Sequence, residues 1–160
     1  MVTMYTDGSS RGNPGRGGYG TVLLYKKHRK ELTEGYRLTT NNRMELLAVI
    51  IGLEALKKGG TVVEIYSDSQ YVVDAVNKGW VWNWQKKNFK GKKNADLWKR
   101  FIPAYRKHDV TLKWIKGHSG IPENERCDEL AVSSADGNGL LIDQGFETSI
   151  SRSKQTTSGK

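Results

Sequence analysis

The chain has 160 residues, 36% hydrophobic and 27% charged, which fits one folded domain burying about two-thirds of its unfolded surface and excludes a disordered or fibrous protein. With 26 lysines and arginines against 17 acids its formal charge is +9, which suggests a polyanionic partner. A single cysteine, Cys127, excludes a disulfide framework or multi-cysteine zinc site, and neither a membrane-length apolar run nor a signal-peptide pattern is present, so the expected location is cytoplasmic.

Residues 2–7 alternate and are rich in β-formers, which predicts a strand ending at Asp7. The glycine-dense stretch 8–18 reads as a turn region before a second strand at 19–25, and the polar run 26–30 leads to a third at 31–38. Short links between three strands imply an antiparallel meander. The period then changes. Asn41 and Asn42 can cap a helix whose body runs from Met44 to Lys58 and stops at Gly59-Gly60. A fourth strand follows at 62–68, then helical segments at 69–78, 80–87 and 95–107, then a fifth strand at 110–115. Pro122 opens a last helix to Ala135, with Glu123 and Glu125 in the first turn, where the helix dipole favours acids. From residue 149 the composition turns to Ser, Thr, Lys and Gly, so a domain at 1–148 is expected to precede a flexible tail at 149–160. The fold class is α/β: a mixed five-stranded sheet, three antiparallel strands then two parallel, flanked by helices.

Charge is concentrated. Residues 78–116 hold twelve basic side chains against Asp96 and Asp109, and the same window holds all five tryptophans. Lysines that track phosphates, interleaved with aromatic surfaces for sugars or bases, suit a nucleic-acid partner. The plainer alternative is that the tryptophans are core and the lysines surface. Residues 86–93, rich in lysine, read as a projecting connection between two helices.

Asp7 and Asp68 both close strand runs, and if those strands lie parallel and adjacent their carboxylates meet at one sheet edge. Glu45 sits among Met44, Leu46, Leu47 and Ala48, where an unpaired carboxylate would be costly to bury. Asp128 lies mid-helix. Four acids converging in a basic protein require a cation between them, and oxygen-only ligation points to a hard ion such as Mg²⁺ or Mn²⁺. The alternative is that these acids are separate caps and surface charges.

Several motifs occur in order: Thr6-Asp7-Gly8-Ser9, Gly12-Asn13-Pro14-Gly15, Gly17-Gly18-Tyr19-Gly20, Thr39-Thr40-Asn41-Asn42-Arg43-Met44-Glu45, Ser67-Asp68-Ser69-Gln70, Lys116-Gly117-His118-Ser119-Gly120 and Asn124-Glu125-Arg126-Cys127-Asp128-Glu129-Leu130-Ala131. Together they resemble bacterial ribonuclease HI, the type 1 ribonuclease H family, over residues 2–147. The resemblance implies a ribonuclease H-like fold and an endonuclease that hydrolyses the RNA strand of RNA–DNA hybrids with two divalent metals. It further implies 5′-phosphate and 3′-hydroxyl products, Mg²⁺ as cofactor with Mn²⁺ as substitute, and a monomer. By position it makes Asp7, Glu45, Asp68 and Asp128 the catalytic metal-binding carboxylates and His118 the catalytic-loop histidine. It places Asn13, Asn41, Asn42 and Gln70 on the minor groove near the scissile strand, and Thr40 and Asn94 in a phosphate pocket for the DNA strand. Trp80 and the lysine-rich stretch, with Lys86, Lys87, Phe89 and Lys90, fall on the basic protrusion that grips the DNA strand. Two features depart from the family's pattern: the protrusion is shorter, and Phe89 stands where a tryptophan is usual. Both bear on affinity and footprint rather than on chemistry.

Rival readings are a nuclease-fold domain that binds hybrid or duplex RNA without cutting, and another enzyme of the same superfold. The four acids oppose the first; the glycine-rich segment after Asp7 and the His118 loop oppose the second. His118, between Gly117 and Gly120, cannot be a packed core residue, whereas His28 and His108 read as surface and Cys127 as a small buried residue.

Overall fold

The computed structural model describes the backbone of residues 1–158 and side chains through Ser153. Strands β1 (Val2–Arg11), β2 (Gly15–Tyr25) and β3 (His28–Thr39) form the expected antiparallel meander with β2 in the middle. Strands β4 (Val62–Ser67) and β5 (Asp109–Trp114) add in parallel beyond β1, giving the order β3-β2-β1-β4-β5. The helices are α1 (Asn41–Glu54), α2 (Gln70–Asn77), α3 (Trp80–Lys86), α4 (Ala95–Arg106), α5 (Pro122–Ala135) and α6 (Gln144–Ser158). None of the described helices is long and apolar enough to cross a membrane.

The first hairpin is longer than alternation alone suggests. Glycines read as turn lie inside β2, because α5 packs directly on that strand: a Cβ on Gly18 would sit 2.5 Å from the Ala131 carbonyl oxygen. The turn itself is confined to residues 12–14, and Lys26-Lys27 suffices for the second hairpin, with Tyr25 paired to His28.

Helix α1 is apolar nearly all round because it is covered on both sides, by β1 and β2 and by α4. Its cap is Thr40 rather than Asn41 or Asn42. Thr40 is extended at φ −125° and ψ 161°, and its hydroxyl accepts the Arg43 N–H at 3.3 Å. The helix ends at Glu54, short of Lys58. Met44, Leu46, Ile50, Met4, Ile65, Trp98 and Phe101 are fully buried and form the centre of the main core.

The tryptophans divide between the two alternatives. Trp98 is fully buried, edge-on to Trp84 at 5.8 Å and to Phe101 at 5.4 Å, and Trp82 packs beside Tyr105 at 5.4 Å. Trp80 and Trp114 are exposed. His108 is buried rather than superficial, and Cys127 is fully enclosed, burial pushing its thiol pKa up.

The stretch read as a flexible tail from residue 149 is helical through Ser158; residues 159–160 lie outside the described residues. Composition concealed what anchors α6. Asp143 receives the Phe146 N–H on its side chain at 3.3 Å and the Glu147 N–H on its carbonyl at 2.9 Å, and Arg37 clasps Glu147 through two bonds at 2.8 and 2.9 Å.

Candidate active site

The parallel ladder of β1 and β4 ends at Thr6 and Ser67, so Asp7 and Asp68 leave neighbouring strands side by side. Asp7 does not end its strand, as expected from alternation; β1 runs on to Arg11 paired with β2 alone. Glu45 reaches the same point because Gly8 lets α1 lie against β1: a Cβ on Gly8 would sit 2.3 Å from the Glu45 nitrogen. One carboxylate oxygen from each of Asp7, Glu45 and Asp68 lies within 4.8 Å of the others, with Asp7 and Glu45 buried and Asp68 half-buried. The Gly8 N–H donates to Asp7 Oδ1 at 2.8 Å and to Glu45 Oε1 in a short contact.

Asp128 from α5 and His118 from the β5–α5 loop line the same cleft, about 460 Å³, together with Asn41, Asn42 and Gln70. Among the described residues the tight group is the first three acids, and half-buried Asp128 forms cleft wall. His118 is exposed, in the left-handed region at φ 56°, and its loop is tied by Ser119 Oγ donating to the Lys116 carbonyl at 2.7 Å.

Burial pushes the Asp7 carboxyl up to about 7, and the nearby charges of Asp68 and Asp128 add to the rise. Burial, then Asp7 and Asp68, drive Glu45 well above the usual carboxylate range. Ionising these acids together is therefore costly in the metal-free site, and a cation relieves that cost. The donors in the tight group are all carboxylate oxygens, which fits a hard divalent ion such as Mg²⁺ or Mn²⁺.

The substrate residues expected from sequence occupy three places. Asn41, Asn42 and Gln70 share the acidic cleft. Asn13, Thr40 and Asn94 line a second cavity of about 820 Å³, which meets the first at Asn42, and the Asn13 Oδ1 accepts the Asn41 N–H at 3.2 Å. Exposed Trp80, Lys86, Lys87 and Lys90 lie on α3 and the connection to α4. Phe89 is a correction. Its backbone turns left-handed at φ 57° and its ring is 5% exposed, packed into the core below the lysines, so it does not present a stacking surface.

Sequence reading gave no role to Arg43, Tyr71 or Trp114. Arg43 is buried on α1 and paired with Asp96 and Asp143, and its one sequence signal was an arginine inside an apolar helix. The Tyr71 hydroxyl accepts from Asn94 Nδ2 at 3.1 Å and from Trp98 Nε1 at 2.8 Å. Trp114 Nε1 donates to the Asp68 carbonyl at 3.1 Å, steadying the end of β4 beside the carboxylates.

The RNase H family model matches residues 1–136. A ribonuclease H of Lachnoclostridium phytofermentans is 56% identical over 91% of this chain and 99% of its own length. A ribonuclease H of Desulforamulus reducens is 54% identical over 89% and 92%. Among solved structures, LC9-RNase H1, a type 1 RNase H with the type 2 active-site motif, superposes with a TM-score of 0.77 at 32% identity, covering 98% of this chain and 83% of that one. LC11-RNase H1, solved in complex with RNA/DNA hybrid, gives 0.60 at 25% identity, covering 85% and 97%. The mixed sheet, with Asp7 and Asp68 side by side where the β1–β4 parallel ladder ends, defines a nuclease of the ribonuclease H fold. The chain belongs to the RNase H family.

Proposed function

We propose that this protein is an endoribonuclease that hydrolyses the RNA strand of RNA–DNA hybrids, leaving 5′-phosphate and 3′-hydroxyl ends. The observation that carries the reading is the set of Asp7, Glu45 and Asp68 oxygens within 4.8 Å, at the floor of a cleft walled by Asn41, Asn42, Gln70 and His118. The hybrid bound to LC11-RNase H1 supports it from a related protein.

Asp7, Glu45, Asp68 and Asp128 would hold two divalent ions, Mg²⁺ or in its place Mn²⁺. Such ions supply an activated water and charge relief on the phosphate and leaving oxygen. The remaining work belongs to the chain. Asn13, Asn41, Asn42 and Gln70 offer amide donors and acceptors to ribose 2′-hydroxyls in a wide minor groove, which distinguishes RNA from DNA. The adjoining cavity at Thr40 and Asn94 takes a phosphate of the DNA strand, and Trp80 with Lys86, Lys87 and Lys90 holds that strand further along. His118, exposed on its loop at the cleft mouth, moves protons at the leaving side. The protein works as a monomer in the cytoplasm.

The test is a hybrid labelled on either strand and incubated with Mg²⁺. The RNA label should shorten while the DNA label stays intact. Shortening of the DNA strand would overturn the reading.

A further inference from the structure

Arg43 sits beside the α1 cap, and its backbone N–H donates to Thr40 Oγ1 at 3.3 Å. Its guanidinium is gripped from two sides. Nε and Nη2 donate to Asp143 Oδ2 and Oδ1, both at 2.8 Å, while Nη1 and Nη2 donate to Asp96 Oδ1 and Oδ2 at 2.8 and 2.7 Å. Nη1 also reaches Asn94 Oδ1 at 3.4 Å, and Asn94 Nδ2 donates to Tyr71 at 3.1 Å. One arginine therefore touches both Thr40 and Asn94.

Asp143 ties this arrangement to the C-terminal helix. Its Oδ2 also accepts the Thr39 hydroxyl at 2.7 Å and its Oδ1 the Phe146 N–H at 3.3 Å, so each oxygen serves two donors. Gly145, in the first turn of α6, lies directly on the ion pair: a Cβ there would fall 1.9 Å from Asp96 Oδ2 and 2.9 Å from Arg43 Nη2. One positive charge between two carboxylates leaves the cluster net negative. Arg43 is thus a poor anion ligand and a good clamp, since its planar fork fixes orientation as well as charge. With Oδ1 held by Arg43 and one Nδ2 hydrogen by Tyr71, Asn94 keeps one donor for a ligand in the cavity that it lines with Thr40.

We infer that Arg43 is a positioning residue through which the Asp143 side chain holds the Thr40–Asn94 phosphate pocket in shape. This rests on the hybrid-cleaving reading given above. Recognition of the DNA strand then depends on Asp143, 100 residues from Arg43 in sequence and just ahead of α6, whose first turn itself lines the cavity at Gln144, Gly145 and Phe146.

The test uses the full chain and hybrids whose DNA strand carries a single methylphosphonate at successive positions. Wild type should lose about tenfold or more in affinity at one position, the scale of a hydrogen bond to a charged group. Asp143→Asn puts an amide against donors on one side or the other and should raise KM by about five- to twentyfold with kcat within about twofold. The variant should also lose most of its sensitivity to the methylphosphonate. Asp96→Asn, at a half-exposed site that tolerates change, should shift the same two quantities in the same direction by a smaller factor. Arg37→Gln, which loosens α6 at Glu147 without touching Arg43, should keep wild-type KM and phosphate sensitivity. Circular dichroism confirms that each variant is folded at the assay temperature. If both aspartate variants keep wild-type KM and sensitivity, or if Arg37→Gln matches them, the inference fails while the cleavage reading stands. If wild type does not cut hybrid at all, the cleavage reading fails first.

Discussion

Asp7 and Glu45 share one hydrogen-bond donor, the N–H of Gly8, which lies between β1 and the start of α1. That donor fixes two acids 38 residues apart in sequence at one point, and both can reach it because residue 8 has no side chain to hold α1 away from β1. Gly8→Ala must push α1 from β1, since the new carbon would meet backbone atoms rather than a flexible side-chain end. We expect a loss of about 1–3 kcal/mol in urea unfolding, the usual scale of overpacking, with cleavage falling far more than stability. Wild-type activity in Gly8→Ala would contradict the role given to this glycine.

Proton binding at the cluster sets a pH dependence in the metal-free protein. Asp7 moves from an ordinary 3.8 to about 7 in the fold, so between those values the folded state holds more protons than the unfolded. Stability from this group is present below the lower value and is lost as pH rises through the upper one; Glu45 acts in the same direction. In EDTA the melting temperature should therefore fall across that window, and Asp7→Asn should flatten the fall. Mg²⁺ should raise the wild-type melting temperature more at about pH 8 than at about pH 5, because it binds the ionised form. An equal rise at both would contradict the cluster as the metal site.

The basic segment should govern binding and not turnover. Neutralising Lys86, Lys87, Lys90, Lys92 and Lys93 together should weaken hybrid affinity and flatten its salt dependence. The log–log salt slope should drop by roughly 0.7–0.9 for each phosphate that the protein no longer neutralises. Lys92 lies over the Trp84 ring at 5.1 Å, so its removal also uncovers an aromatic face. The rate at saturating substrate should hold. An unchanged slope would show that these lysines serve solubility.

His118→Ala should lower turnover by about ten- to several hundred-fold, at the weak end of the roughly 10²–10⁴-fold typical of acid–base assistance. An imidazole can both give and take a proton through its ring nitrogens, which suits proton transfer at product release. Affinity for hybrid measured in Ca²⁺ should stay near wild type. A variant as inactive as Asp7→Asn would place the histidine in the bond-breaking step itself; a fully active one would make the loop structural.

Much of the fold was legible because alternation and helical period are local properties. The helix from Pro122 to Ala135 and all five strands appear in the expected order, although β1 and β2 run on into the stretch read as turn, to Arg11 and from Gly15. The errors share one cause, which is that packing between distant segments overrides local signals. Glycines that mark turns in isolation mark close packing under α5 in β2, and a Ser/Thr-rich stretch becomes helix because Asp143 and Arg37 anchor its start. Asp7, Glu45 and Asp68 were legible as site acids because they interrupt β-rich or apolar surroundings. Phe89 was misplaced because its motif position says nothing of the left-handed turn that buries it. Arg43 gave a faint signal, and its partners Asp96 and Asp143, 53 and 100 residues away, gave none.

The most direct test of the central claim is a side-by-side cleavage assay of one sequence as RNA–DNA hybrid, duplex RNA and duplex DNA, with Mg²⁺ and with EDTA, using wild type and Asp7→Asn. Wild type in Mg²⁺ should cut the RNA strand of the hybrid, Asp7→Asn should cut almost none of it, EDTA should abolish cleavage, and the DNA duplex should stay intact. Full activity in EDTA, or cutting of duplex DNA at a comparable rate, would contradict the proposed function.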